Sequence, residues 1–192
     1  MSVQPGDIFL AHSPGLLSKI IRFGERIRTP SVDAFWNHAG VIIDAQGNTL
    51  EAEAKGIVAR NMSDHPISVT IDSGMTPAQR ASVLAFAESC KGDPYSYVDI
   101  LSISARLLTG WHFSFHGSRA LICSQYAAKA WEHGGKIWPM LDTACVMPSN
   151  LGEWLIPPGT TKDARNMAAM REAIKAGPDR FVFKRHVEKG AE

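Results

Sequence analysis

A chain of 192 residues has room for one domain with a substantial core. Hydrophobic residues make up 45% and charged residues 20%, with 16 Gly and 11 Pro, which excludes a disordered, collagen-like or low-complexity chain. The formal net charge of +1 leaves no surplus to drive binding to nucleic acid or anionic lipid, so no nucleic-acid partner is expected.

Gly6-Asp-Ile-Phe-Leu-Ala-His12 reads as a short strand, because a Pro-Gly turn precedes an apolar run that stops at Ser13-Pro14. A helix is predicted behind the Ser13 cap. There Leu16, Leu17, Ile20, Ile21, Gly24 and Ile27 recur at helical spacing, opposite Lys19, Arg22, Arg26 and Arg28. This basic amphipathic pattern suits a membrane surface or an acidic polymer, but its commoner use is to pack an apolar side on a core.

Four strand-like segments follow: His38 to Asp44, Asn48 to Ala54, Gly56 to Arg60, and Ile67 to Ile71. Turn residues at Ala45-Gln-Gly-Asn48, Lys55-Gly56 and Asp64-His-Pro66 join them, which predicts a meander of consecutive antiparallel strands. Thr76-Pro-Ala-Gln79 supplies an N-cap, a first-turn proline and a capping-box glutamine for a helix that stops at Gly92. Val83, Phe86, Ala87 and Cys90 share one face of it, so Cys90 reads as a buried small hydrophobe. Asp93-Pro-Tyr-Ser-Tyr97 is a turn into a helical segment from Val98 to Leu108, and Gly110 to Arg119 is a loop rich in aromatics and histidine. Cys123 to His133 is a helix closed by Gly134-Gly135, with Tyr126, Ala127, Ala130 and Trp131 as its apolar face and Cys123 in its first turn. Pro139, Pro148 and Pro157-Pro158 punctuate an irregular stretch before a helix over about residues 161–176 and a last strand from Arg180 to Arg185. No internal repeat or domain-sized linker breaks the chain. A single domain over residues 1–192 is expected, with 136–192 as a C-terminal extension.

Three cysteines, Cys90, Cys123 and Cys145, are too few for a disulfide framework and match no zinc-ligand spacing, so reduced thiols are expected. A thiol in the first turn of a helix lies at the positive end of the macrodipole, which favours thiolate and makes Cys123 the best nucleophile candidate. The alternative is a buried structural cysteine. A cysteine hydrolase also needs an imidazole to carry the proton and a polar group to orient that imidazole. His38 begins one strand, and Glu51 lies in the next across a turn at Gln46-Gly47, so a hairpin brings them together. Glu53 shares the parity of Glu51 and is its rival. Seven histidines raise the question of a metal. His112 and His116 have ligand spacing only on a helix, and there is no His-Glu-x-x-His pattern, so neither a metal nor another cofactor is expected.

Gly6-Asp-Ile8, His38-Ala-Gly-Val41, Glu51-Ala-Glu-Ala-Lys-Gly-Ile57, Gly92-Asp-Pro-Tyr-Ser-Tyr97 and Cys123-Ser-Gln125, in this order, resemble the circularly permuted branch of the NlpC-type papain-like cysteine peptidases, the YiiX-like group. The order is distinctive: the unpermuted family places the nucleophile first and the histidine later. The resemblance covers roughly residues 6 to 135. It implies an α+β papain-like fold in which a nucleophile-bearing helix packs on a central antiparallel sheet. It further implies Cys123 as nucleophile, His38 as general base and then acid, and Glu51 rather than Glu53 as the residue orienting His38. Tyr95, Tyr97 and Ser124 are the implied substrate-binding residues. Gln125 departs from the Glu that relatives carry after Cys-Ser, and the Pro-rich tail after residue 135 corresponds to no family feature.

The implied activity is cleavage of an amide bond in a cell-wall peptidoglycan peptide. Two other readings use the same residues. Related lecithin:retinol acyltransferase-like enzymes act on lipid or acyl esters, for which Trp111, Phe113 and Phe115 would shape an acyl pocket, although core packing is the commoner use of such aromatics; a catalytically silent binding module is the third reading. The N-terminus lacks the basic and apolar regions of a secretory signal, and no apolar run is long enough to span a bilayer. A cytosolic protein is therefore expected. A wall-active enzyme of this kind would need another route out, as when a phage- or prophage-encoded protein is released by lysis or carried in a particle.

Overall fold

The computed structural model describes residues 3–12, 36–96, 121–139, 143, 146–156 and 181–183. Its strands are β1 (Ile8–Ala11), β2 (His38–Ile42), β3 (Asn48–Glu53), β4 (Gly56–Asn61), β5 (Ser68–Ile71) and β6 (Phe181–Phe183). Its helices are α1 (Pro77–Ser89), α2 (Cys123–His133) and α3 (Pro148–Leu155). The class is mixed α+β. The sheet order is β4-β3-β2-β1-β5-β6, with β1 to β5 antiparallel and β6 added parallel to β5.

The unbroken apolar run Ile8-Phe-Leu-Ala11 takes a central place in this sheet, as a strand covered on both faces must. Ile8 and Leu10 enter the main core beneath the helices. Phe9 and Ala11, on the opposite face by strand alternation, pack with Val3, Ile42 and Met62.

The predicted meander holds for β2, β3 and β4, but β5 departs from it. After a short 3-10 turn at Met62–Asp64, the chain crosses to the far side of β1 instead of pairing with β4. Burial explains the crossing. β4 exposes Ala59 and Arg60 and spans its edge with the Arg60–Glu53 ion pair, which suits a water-facing edge. Val69 and Ile71 are buried, and they find apolar partners beside Leu10 and Ile8.

The capping box of α1 forms as its sequence predicts: the Gln79 N–H donates to Thr76 Oγ1, and the Thr76 N–H donates to Gln79 Oε1 at 3.0 Å. α2 is the central helix, with residues from Cys123 through Ala128, and then Ala130 and Trp131, all buried. It packs on β2 and β3 and against α1 and α3. Tyr126 Oη donates to the Ala87 carbonyl at 3.2 Å, and Trp131 Nε1 to the Gly6 carbonyl at 2.9 Å, which fixes the helix along its length.

α3 lies where the prolines predict irregular chain. Pro148 begins the helix instead of breaking it, because the missing N–H of a first-turn proline has no intrahelical acceptor to lose. Asn150 Oδ1 accepts from the Met147 N–H at 3.0 Å and completes the start.

The predicted helix behind Ser13, Tyr97, the segment from Val98 to Leu108, the loop holding Trp111, His112, Phe113, Phe115 and His116, Cys145 and the helix over 161–176 lie outside the described residues. Cys90 and Cys123 are buried thiols. No described helix is long and apolar enough to cross a membrane.

Candidate active site

The register of β2 and β3 sets Val41 opposite Leu50 and Ile42 opposite Thr49, which brings Gly40 beside Glu51 and His38 beside Glu53. Parity alone leaves both acids open. Arg60 separates them, since its guanidinium donates to Glu53 at 3.0 and 2.8 Å. Glu51 is fully buried and reaches diagonally across Gly40 to His38, accepting from Nε2 at 2.6 Å. The glycine makes that crossing possible. A Cβ at position 40 would stand 2.6 Å from Phe9 Cε1 and 2.8 Å from Glu51 Cγ.

Cys123 is the first residue of α2, directly after the N-cap Ile122, and is 2% exposed. Because α2 lies on β2, the tip of the helix meets the first residue of that strand. The Cys123 side chain hydrogen-bonds His38, so the imidazole stands between a sulfur and a carboxylate. The start of the helix is held in two ways. Gln125 Oε1 accepts from the Ile122 N–H at 3.2 Å, while Ser124 is buried with its hydroxyl donating to the Val146 carbonyl at 2.7 Å. Ser124 thus ties α2 to the approach to α3. Tyr95 is buried in the main core and bridges Leu121 just ahead of α2.

Glu51 has more partners than His38. Thr49 Oγ1 donates to its Oε1 at 2.5 Å, and His65 Nε2 meets its Oε2 at 2.9 Å, so the two imidazoles share one oxygen. The His38 and His65 ring centroids are 5.2 Å apart, and both rings lie against Phe9. Burial pushes the Glu51 carboxyl up, but the hydrogen bonds and charges of His38 and His65 outweigh it and lower its pKa to about 2. Burial pushes His38 down. Its hydrogen bonds to Cys123 and Glu51, and the charges of both, reverse that and raise it to about 10.

His65 has no role in the motif argument. It sits in the turn before β5, where strand parity says nothing about side-chain direction. Only the crossing of β5 to β1, which pairs Ala11 with His38 on one side and Ser68 on the other, carries that turn back to Glu51. With His65 included, His38, Glu51 and His65 offer two nitrogens and one carboxylate oxygen within 4.8 Å of one another, a donor set that zinc accepts. This trio differs from His112 and His116, the pair weighed for metal on sequence spacing. As an arrangement for proton transfer, the line from Cys123 through His38 to Glu51 can move a proton on and off a sulfur while holding the imidazole in one orientation. No protein-family model matches the chain, and no curated protein matches it.

Proposed function

We propose that this protein is a cysteine hydrolase on a papain-like scaffold, cutting an amide bond, with a cell-wall peptide as its substrate. The observation that carries this reading is the imidazole of His38 held between Cys123 and the buried carboxylate of Glu51. With Nε2 engaged by Glu51, Nδ1 is the ring nitrogen left to serve the sulfur. The raised pKa of His38 supports an imidazolium beside the Cys123 sulfur, placed to hold and return the proton that a cysteine nucleophile exchanges.

Catalysis then proceeds as acyl transfer. The Cys123 sulfur forms a bond to the carbonyl carbon, and the tetrahedral oxyanion is met by N–H groups of the first turn of α2, which have no intrahelical acceptor. Collapse breaks the C–N bond as His38 gives its proton to the leaving amine. Water next loses a proton to His38 and adds to the thioester. Its collapse breaks the C–S bond, releasing the acid and the thiolate. Glu51 keeps the imidazole aligned through both steps and stabilises its cationic form.

The test uses purified peptidoglycan peptides and the Cys123→Ala variant. Removal of the nucleophile is expected to cut turnover by at least about a thousandfold with the circular dichroism spectrum unchanged. Hydrolysis by Cys123→Ala at the wild-type rate would overturn the assignment. A parallel panel of acyl esters measures the preference for amides.

A further inference from the structure

We propose that His65 is a positioning residue for Glu51, fixing the carboxylate in the rotamer that serves His38; this rests on the hydrolase reading of Cys123, His38 and Glu51. A glutamate has three side-chain torsions, and a carboxylate held at one oxygen can still turn about the last of them. Here Thr49 holds Oε1 and His65 holds Oε2, so the plane of the group is set before His38 is considered. That matters because His38 changes charge at Nδ1 in every cycle, and a carboxylate held by partners other than His38 stays in place through those changes.

His65 is itself well placed for the task. Asn61 caps the turn at Met62–Asp64, the His65 N–H donates to the Met62 carbonyl at 3.0 Å, and Ser68 Oγ donates to the His65 carbonyl at 3.0 Å. The ring packs on Phe9 at 5.2 Å between centroids, which leaves Nε2 directed at Glu51. Backbone, ring and donor are each held by a different neighbour. The titratable or charged groups that act on Glu51 are His38 on β2, Arg60 on β4, Tyr126 on α2 and His65, with Cys123 reaching it through His38.

The experiment follows alkylation of Cys123 by iodoacetamide across about pH 5 to 9, read by peptide mass mapping, so it requires no substrate. His65→Phe keeps a ring against Phe9 but removes the donor. It is expected to lower the rate at neutral pH about tenfold and to move the rise of the profile about one unit upward, as loss of a hydrogen bond to a charged group predicts. His65→Gln, whose amide N–H has a similar reach to Nε2, should restore the rate to within about threefold of wild type.

A wild-type profile in folded His65→Phe would overturn the proposal and leave the hydrolase reading intact. Equal loss in both variants without a shift of the profile would also overturn it, because packing alone gives that result. A wild-type Cys123 that reacts no faster than an unfolded thiol would instead overturn the hydrolase reading. Should His65→Phe fail to fold, wild-type protein with nitrogen-labelled histidine decides. Two slowly exchanging Nε2–H protons are expected, one from each ring; only one would refute the shared anchor.

Discussion

Glu51 and Asp7 are both buried carboxylates, 0% and 2% exposed, yet their partners differ in kind. Asp7 accepts from Arg80 Nη1 at 2.6 Å, the Ser73 N–H at 3.0 Å and the Gln4 N–H at 3.3 Å, while Arg80 also donates to Asp72 at 3.0 Å. Glu51 accepts from two imidazoles and a hydroxyl. A guanidinium stays charged at every accessible pH and has no proton to lend, so the Asp7 cluster can only pin the N-terminal turn to α1. An imidazole, unlike a guanidinium, can take up and release a proton, and a carboxylate bonded to it influences that exchange. Burial dominates at Asp7 and raises its pKa despite Ser73 and Arg80, whereas at Glu51 the two histidines win. Burial alone therefore does not distinguish the two carboxylates; the chemistry of their donors does.

Substitutions at the two clusters should separate turnover from stability. The largest effect on turnover is expected from Glu51→Gln, which presents a neutral and partly mismatched group to His38. About a thousandfold loss of kcat is predicted, by analogy with the loss of the orienting acid in other triads, and steady-state kinetics on the peptides cleaved by wild type will measure it. Gly40→Ala is expected to come next. Its new methyl must displace Phe9 or the Glu51 stem, so about a tenfold loss of turnover should accompany a destabilisation of about 1 to 3 kcal/mol in urea titrations.

Arg80→Met should show the reverse balance. It leaves Asp7 buried without its cation and is expected to cost about 3 kcal/mol, while the folded fraction turns over substrate within about twofold of wild type. A large loss of specific activity in that variant would erase the distinction between the clusters.

A further effect, on stability alone, lies in its pH dependence. His38 is raised from 6.5 to about 10, so its contribution is complete below about pH 6.5 and is lost as pH rises through about 10. Glu51 is lowered from 4.5 to about 2, so its contribution is present above about pH 4.5 and is lost as pH falls through about 2. Asp7 acts with the opposite sign in acid, because its raised pKa makes the folded state bind the proton more readily and relieves the cost of a buried charge. Urea midpoints measured across pH should show the alkaline decline in wild type and a shallower one in Glu51→Gln.

Much of the local architecture is legible in the chain. Thr76 and Gln79 announce the start of α1, Gly134-Gly135 closes α2, and Gln46-Gly47 turns β2 into β3. Each of these depends on neighbours a few residues apart, where capping, turn preference and periodicity act. The hairpin also limits the partner of His38 to Glu51 or Glu53, but the decision belongs to Arg60 from the next strand.

The sequence by itself determined that Cys123 would open a helix and that an imidazole and an acid would share a hairpin, because both follow from short-range chain geometry. The tertiary structure decided that β5 would cross to β1, that Pro148 would begin a helix, and that His65 would meet Glu51. Those outcomes turn on which apolar faces find cover and which edges are left to water. That competition is settled between segments far apart in the chain, and no local pattern records it.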